Sequence, residues 1–533
     1  MSSLVGAWTL VRLILRRDRA TLPAWIAVFA LLPMAVASTF EELYPTAEEV
    51  ARAASQFGSN PAFSGILGPV YGGTIGSLVA WRSSILFVII GVVSLLTVVR
   101  HTRVEEETGR RELLGSTVVG RHAPLAACLT VVVAANLVVA AVVAVTLTST
   151  GQPAPGSLAL GLAIGFSGIM LAAVGAVAAQ LTDTAGAARG IGLAVLTLAF
   201  VLRAAGDSAG DNGAVSWLSW LSPLGWVQRV RPFAGERWWV FVLPLALTAA
   251  CAAAALALSL RRDVGAGLFP ARLGRAEAAP GLASPLALAW RLHRGPLLGW
   301  VGGFVVLGAI YGSVAEGVGD ILEDNPDLLD IFEQLGGGGS VLMDLYLSGV
   351  MGILGLIASA YAVQAALRMR SEEEELRAEP VLATAVARHR WVGSHLVFAF
   401  AGPAVVLVAA GLSIGLTYGA VAGDVGNQVP RMLGSALAQL PAVWILVSIT
   451  VLLFGVLPRL AGASWLVYGA VVLITLLGAV IGLGQWVLDL SPFTHVPTLP
   501  GGELLLAPLI WLVTIGALLL IPAFTGFRRR DVG

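Results

Sequence analysis

Two copies of one charged stretch organise this chain: Arg103-Val-Glu-Glu-Glu-Thr-Gly-Arg110-Arg-Glu112-Leu-Leu-Gly-Ser-Thr117-Val-Val119-Gly-Arg121-His122 and Arg370-Ser-Glu-Glu-Glu-Glu-Leu-Arg377-Ala-Glu379-Pro-Val-Leu-Ala-Thr384-Ala-Val386-Ala-Arg388-His389. The copies lie 267 residues apart, which is half the chain, and ten of their twenty positions are identical. Self-similarity at a fixed spacing indicates an internal repeat.

Other landmarks recur at nearly the same spacing. Leu221-Ser222-Pro223 corresponds to Leu490-Ser491-Pro492, and Trp25 corresponds to Trp300. We therefore predict two related halves, residues 1–260 and 286–533, joined by a linker rich in Pro, Ala and Arg at 261–285.

The composition indicates a membrane protein. Of 533 residues, 57% are hydrophobic and 12% are charged, whereas soluble proteins carry about 25% charged residues. This excludes an ordinary soluble enzyme, a disordered chain and a coiled coil. At about 20 apolar residues per crossing, the apolar runs predict an all-α protein with twelve transmembrane helices: Leu22–Thr39, Leu78–Val99, Pro124–Leu147, Leu158–Gln180, Ile191–Leu202, Trp238–Leu260, Leu297–Ala315, Leu345–Leu367, Leu396–Ala420, Met432–Val456, Ser464–Leu483 and Leu504–Phe524.

Each half has six crossings, so both halves enter the membrane from the same side. We expect parallel repeats, related by a pseudo-two-fold axis along the membrane normal. With a cytoplasmic N-terminus, the inner segments carry 25 of the 32 Arg. The positive-inside rule therefore places both termini in the cytoplasm. The Arg-only basic composition, rich also in Ala and Gly, favours a high-GC bacterium and hence a bacterial plasma membrane.

The N-terminal segment is predicted to be an amphipathic "elbow" helix lying along the inner membrane surface. Leu4, Trp8, Val11 and Leu15 form its apolar stripe, and Met1–Ala20 lacks the cleavage site of a signal peptide.

The repeated stretch is polar and cytoplasmic, and we predict that it is helical. Three acid–arginine pairs at i, i+4 would stabilise that helix: Glu106/Arg110, Glu107/Arg111 and Glu373/Arg377. A single copy would suggest only a solvated charged connection. Two copies suggest a surface that is needed twice, for a symmetric dimeric partner. Its candidate docking residues are Arg103, Glu105, Glu106, Glu107, Arg110, Glu112 and Arg121 in the first copy, and Arg370, Glu372, Glu373, Glu374, Arg377, Glu379 and Arg388 in the second.

The whole chain resembles an ABC-2-type exporter permease, and more narrowly the actinobacterial permeases known as exporters of polyketide antibiotics (the tetronasin-resistance type). The stretches Glu105–Arg121, Glu372–Arg388 and Ser491–Pro497 carry the resemblance, together with the two six-helix halves and an elbow helix before each. It implies a separate ATP-binding subunit, two copies of which dock on the two repeated segments. Leu376 and Pro380 replace Gly109 and Leu113 in the second copy, so the equivalence of the two surfaces stays open.

The chain is predicted not to be an enzyme. It contains no Lys, and a Walker A loop requires one. ATP and Mg would accordingly be bound by the partner, with no cofactor or metal on this chain. Ionisable residues are nearly absent from the middle of the apolar runs, which favours a hydrophobic or amphiphilic substrate and no nucleic acid. Three alternatives stay open: a proton-coupled multidrug antiporter, an ABC importer permease, and a non-transporting scaffold or sensor for an ATPase.

Several outer features have a structural and a functional interpretation. Trp217, Trp220 and Trp226 are either an interfacial aromatic belt or, with Phe493 and His495, a candidate exit surface for the substrate. The series Asp324, Asp327 and Asp330 is interpreted as a capped outer helix rather than a cation site, and Gly336–Gly339 as a flexible joint.

Overall fold

The computed structural model describes residues 3–59, 61–210, 213–263, 265–269, 276–278, 282, 284–323, 339–477 and 484–529. The chain divides into two compact units, Met1–Gly274 and Arg275–Gly533. This boundary falls within residues 261–285, and the extent of the linker itself stays a prediction.

Every regular element of the described residues is helical. The first unit contains Ala7–Arg17, Thr21–Leu43, Ala47–Ser59, Pro61–Leu67, Ile75–Arg82, Ile85–Val99, the π-helical turn Arg100–Val104, Glu105–Glu107, Arg110–Gly115, Ala123–Ser149, Ala154–Leu181, Ala185–Ser208, Leu218–Leu221, Pro223–Gln228, the 3-10 turn Trp238–Phe241 and Val242–Leu260. The second unit contains Pro285–Glu323, Gly339–Glu374, Ala378–Leu382, Arg388–Val421, Val425–Ala438, Leu440–Val456, the 3-10 turn Pro458–Ala463, Ser464–Leu477, Gln485–Leu488, the 3-10 turn Pro492–His495 and Leu506–Arg529.

Twelve helical segments in the described ranges are long and apolar enough to cross a membrane, which confirms the predicted all-α multi-pass fold. We number them in chain order as the first to the twelfth span: Thr21–Leu43, Ile85–Glu107, Ala123–Ser149, Ala154–Leu181, Ala185–Ser208, Trp238–Leu260, Pro285–Ser313, Met343–Glu374, Arg388–Val421, Val425–Val456, Pro458–Leu476 and Leu506–Arg529.

The second span starts and ends later than the predicted Leu78–Val99. A short helix, Ile75–Arg82, ends before it, and Ser84 donates its hydroxyl to the carbonyl of Leu67 at 2.6 Å. Serine side chains compete for backbone hydrogen bonds and so favour helix ends, a signal that the apolar pattern does not register. At the other end the helix continues to Glu107, so the start of the repeated stretch is the last turn of the span itself.

The two elbow helices differ. The first is formed as Ala7–Arg17 and is separated from the first span by a turn at 18–20. The predicted second elbow is not a separate helix, because the helix that begins at Pro285 is itself the seventh span and passes unbroken through Pro296. The charge pattern of such a segment indicates an interfacial position but does not specify whether the chain turns there.

The interior of the first unit is built around the fourth span, which is mostly buried, whereas the first, fifth and sixth spans bury under a third of their residues. Small residues allow the close approach: a Cβ on Gly161 would meet the backbone of Ala140. Asn136 of the third span is fully buried and donates to the hydroxyl of Ser94 at 3.0 Å. Small residues at the interface and polar contacts between helices are what stabilise helix packing in lipid.

The second unit places its eighth and tenth spans innermost. Tyr361 of the eighth span is buried and fills the space left by Gly402 of the ninth. Trp444 of the tenth span donates its indole N–H to the carbonyl of Phe400 at 3.0 Å. The predicted outer helix at Asp324, Asp327 and Asp330, and Gly336 to Gly338 of the glycine joint, lie outside the described residues.

Packing around the fourth span generates a first prediction. Gly168→Ala would place a methyl group against the Asn136 side-chain oxygen and the Ser94 hydroxyl, and overpacking of this kind costs about 1–3 kcal/mol. We expect a lower thermal unfolding midpoint in detergent. The matched control is Gly190→Ala in the fifth span, where an added Cβ meets nothing and Ala is the better helix former. Equal midpoints for the two variants would contradict the packing argument.

Candidate functional site

The first copy of the repeated stretch ends in a reversal of the chain. The helix of the second span passes through a π-helical turn at Arg100–Val104 and closes at Glu107. Gly109 then takes a left-handed conformation with φ of 68°, after which the short helix Arg110–Gly115 begins. Glycine is the residue that adopts this conformation without steric cost.

The second copy makes the same reversal with a less suitable residue. The helix of the eighth span closes at Glu374, Leu376 takes a φ of 56°, and the short helix Ala378–Leu382 follows. Leu376 lies 267 residues after Gly109, so the left-handed turn is kept at the equivalent position although the glycine is not.

This turn corrects the predicted i, i+4 pairing. Because the helix stops before Gly109, two first-copy ion pairs cross the turn and span five residues: Glu105 with Arg110 at 3.6 Å, and Glu106 with Arg111. In the second copy Glu372 and Arg377 pair across the turn with the same i, i+5 spacing, at 2.9 Å. The turn therefore interrupts the predicted helix, and these i, i+5 pairs close it in both copies.

Glu106 is the centre of a buried cluster. Its side chain is 0% exposed and contacts three guanidinium groups. Arg262 binds both carboxylate oxygens, at 2.7 and 2.8 Å, Arg103 binds at 2.5 Å, and Arg111 completes the set. Bidentate, charge-assisted contacts of this kind are among the strongest hydrogen bonds in proteins.

The cluster joins parts of the chain that are distant in sequence. Arg103 also donates to the carbonyls of Gly265 and Ala266, at 3.0 and 3.1 Å, and Arg262 donates to Gln180 of the fourth span at 2.8 Å. The segment that follows the sixth span is thereby attached to the inner ends of the second and fourth spans.

Two neighbouring acids extend this attachment. Glu107 accepts a hydrogen bond from the backbone N–H of Ala185 at 2.7 Å, so it caps the N-terminus of the fifth span. Glu105 pairs with Arg17 of the elbow helix. The turn after the elbow helix is held as well, because the buried Asp18 lies 2.5 Å from the imidazole of His101 and 3.2 Å from Arg100.

Burial and neighbouring positive charges lower the pKa values of arginines in the cluster. Burial lowers the pKa of Arg262. Burial and the neighbouring guanidiniums of Arg262, Arg103 and Arg121 lower the pKa of Arg111 to about 10. The cluster therefore holds its arginines close together against their mutual repulsion.

The buried acid of the second copy contacts two arginines, whereas Glu106 contacts three. Glu372 is buried and bridges Arg368 at 2.8 Å and Arg377 at 2.9 Å. The hydrogen bonds that Arg377 donates to Glu372 raise the pKa of Arg377. Nearby in the same unit, the buried imidazoles of His293 and His395 lie 3.1 Å apart.

The candidate docking residues divide by exposure. Arg103, Glu106 and Glu372 are buried and hold the turns from inside, so in this structure they do not offer a contact surface. Glu105, Arg370 and Glu373 are half-buried. The exposed members are Glu107, Arg110, Glu112 and Arg121 in the first copy and Glu374, Arg377, Glu379 and Arg388 in the second.

Sequence reasoning missed Arg262 and Asp18. Arg262 lies in a segment that composition alone marked as linker, and Asp18 is one acid in a basic N-terminal segment. No local pattern in the sequence signals that these residues meet Glu106 and His101.

The candidate exit residues also differ in exposure. Trp217 and Trp220 are exposed, and Trp220 stacks on Trp239 with 6.1 Å between ring centres. Trp226 is half-buried and donates its indole N–H to the carbonyl of Trp220. In the second unit His495 is exposed, whereas Phe493 is buried in the hydrophobic core and is not available as an exit contact in this structure.

The fold defines a multi-pass helical membrane protein, with six candidate spans in each of its two units. The model of one family, described as "Multidrug efflux system permease Rv1217c, C-terminal domain", matches residues 9–259 and 282–528. The chain is also 43% identical, over all 533 residues and 96% of the relative's length, to "Multidrug efflux system permease protein Rv1217c" of Mycobacterium tuberculosis (strain ATCC 25618 / H37Rv). This protein therefore belongs to the Rv1217c permease family, which confirms the predicted resemblance to exporter permeases.

The left-handed turn yields a second prediction. Leu376→Gly should raise the free energy of unfolding by about 1–2 kcal/mol, because a non-glycine residue in this conformation is strained and the Leu376 side chain is mostly exposed. The reciprocal variant, Gly109→Leu, should lower it. Thermal unfolding of the purified protein measures both, and a loss of stability in Leu376→Gly would refute the assignment of strain.

The buried carboxylate of Glu106 yields a third prediction. Glu106→Gln leaves three guanidiniums without their counter-charge, and breaking a buried ion pair costs about 3–5 kcal/mol. We expect increased proteolysis within residues 105–116 and a lower unfolding midpoint. Glu112→Gln, an exposed acid in the same segment, is the control and should leave both unchanged. The cluster would not be structural if the two variants behaved alike.

Proposed function

We propose that this chain is the membrane-spanning subunit of an ATP-driven exporter, which moves hydrophobic or amphiphilic, drug-like compounds out of a bacterial cell. Its two termini lie in the cytoplasm, and two copies of a separate ATP-binding subunit dock on the inner side. Membership of the multidrug efflux permease family supports export, and the absence of Lys from the chain supports a separate ATPase.

The observation that carries the ATPase-docking part is the repeated inner turn. Both copies present exposed charges at equivalent positions on a left-handed turn and the short helix after it: Arg110 and Glu112 in the first copy, and Arg377 and Glu379 in the second. Arg121 and Arg388 follow the short helices and are exposed at equivalent positions. A surface that occurs twice suits a partner that is itself a dimer of equal subunits.

The contacts of the first copy suggest how movement would be transmitted. A partner that displaces the short helix Arg110–Gly115 pulls on Arg111, and through Glu106 on Arg103 and Arg262. The second span and the segment after the sixth therefore move together, and Glu107 carries the fifth span with them. This is the linkage that alternating access between inward-open and outward-open states needs.

ATP drives that change only if it binds more tightly to the arrangement in which the docking segments have moved. The partner's ATP and Mg supply this difference in free energy, and hydrolysis resets the equilibrium. The exposed tryptophans Trp217 and Trp220 are then the candidate contacts for an amphiphilic substrate that leaves the membrane.

A proton-coupled antiporter is the second candidate. The specific observation in its favour is the contact between two buried imidazoles, His293 and His395, since ionisable side chains inside membrane-spanning helices are typical of proton pathways.

The docking surface gives a fourth prediction. Combining Glu112→Arg with Glu379→Arg reverses one exposed acid in each copy, and like charges facing the partner should reduce ATPase binding by about tenfold or more. Co-purification of the ATPase from native membranes and drug efflux from cells should both fall. Each single variant, measured separately, shows whether the two copies bind equally.

The control is Glu48→Arg, the same change at an exposed acid of the helix Ala47–Ser59. An ATPase that co-purifies equally with the double variant refutes the docking surface. If the wild type recovers no ATPase and an uncoupler abolishes efflux, the antiporter replaces the exporter. A wild type that binds an ATPase but exports nothing is a scaffold.

A further inference from the structure

A cavity of about 60 Å³ lies in the first unit between the elbow helix and the inner end of the second span. One wall is apolar and is formed by Leu10, Leu13, Ile14 and Pro124. The polar part of the lining consists of Arg17, Arg111, Glu105, His101 and Thr102. The cavity is therefore amphipathic, because its lining combines two guanidiniums with aliphatic side chains.

The charged residues at and beside the cavity include more cations than anions. Three carboxylates share six guanidiniums: Glu105 contacts Arg17 and Arg110, Glu106 contacts Arg103, Arg111 and Arg262, and Asp18 contacts Arg100 and the lining residue His101. Burial is the largest cause of the lowered pKa of Arg111, and the guanidiniums of Arg262, Arg103 and Arg121 lower it further. An additional anion at these guanidiniums would relieve the repulsion.

The elbow helix places lipid next to the cavity. Its exposed surface carries large apolar side chains: Trp8 is 63% exposed and Leu13 is 50% exposed. Arg12 and Arg16 are exposed on the same helix, and the Arg12 guanidinium lies 5.8 Å from the Trp8 ring centre. Such a basic amphipathic helix lies at the boundary between headgroups and acyl chains.

We propose that this cavity binds one anionic phospholipid of the inner leaflet, with the phosphate at Arg17 and Arg111 and the start of an acyl chain along Leu10, Leu13 and Ile14. The apolar wall distinguishes the lipid from a free phosphate, which would need only the guanidiniums. The inference does not depend on the proposed exporter function, because binding is measured without ATP or drug.

A lipid bound in this cavity would change the ion pairs that hold the turn at Gly109. Arg17 is the partner of Glu105, and Arg111 is a partner of Glu106. A phosphate between the two arginines competes with both carboxylates. The lipid therefore acts on the segment that holds the short helix Arg110–Gly115.

The test uses the full chain in phosphatidylcholine nanodiscs that contain spin-labelled phosphatidylglycerol or spin-labelled phosphatidylcholine. The motionally restricted fraction gives the relative association constant of each lipid. We expect wild type to prefer phosphatidylglycerol, and Arg17→Gln to reduce that preference about tenfold, because it removes a charge-assisted contact with the phosphate. Leu13→Asn keeps the charge, removes part of the apolar wall, and should also weaken the preference.

The matched control is Arg12→Gln, which removes one charge from the same helix at a residue that does not line the cavity. If Arg12→Gln and Arg17→Gln reduce the preference equally, the attraction is a general surface effect and the site is refuted. Displacement of phosphatidylglycerol by sn-glycerol 3-phosphate or inorganic phosphate, at constant ionic strength, would show a free-phosphate site and overturn the lipid assignment. Unfolding midpoints for all variants identify any that fail to fold.

Discussion

One buried carboxylate, Glu106, holds together the helix ends around the first copy of the repeated stretch. Glu106 is surrounded by Arg103, Arg111 and Arg262, and like charges at such distances repel strongly away from water. The carboxylate is what allows them to meet. Since Arg103 and Arg262 also bind the carbonyls of residues 265 and 266, one charge fixes the second span, the short helix Arg110–Gly115 and the segment after the sixth span in one arrangement.

The second half keeps the outer form of this site but not its interior. Leu376 repeats the left-handed turn of Gly109, and the acids Glu374 and Glu379 stay exposed. Inside, Glu372 bridges only two arginines, and it corresponds to Glu105 rather than to Glu106. A backbone turn and an exposed surface have thus been retained while the buried contacts changed, which is expected if the surface meets the same kind of partner in both halves.

Much of the fold could be predicted because the membrane restricts it. An apolar segment of about 20 residues in lipid has to satisfy its backbone hydrogen bonds internally and therefore forms a helix, so hydropathy alone indicates twelve spans. The break at Ser83 and Ser84 and the unbroken helix at Pro296 could not be predicted in this way. Both depend on local hydrogen bonding and neighbouring contacts, which a hydropathy pattern does not contain.

For the candidate site, the sequence by itself determined where the repeated stretches lie, since their shared side chains recur at a fixed spacing, and it determined the family. Tertiary structure decided what each side chain does. Glu106 and Glu107 are adjacent and identical in sequence, yet one is buried among arginines and the other caps the fifth span. That difference arises from Arg262 and Ala185, residues far along the chain, which come near only when the helices pack.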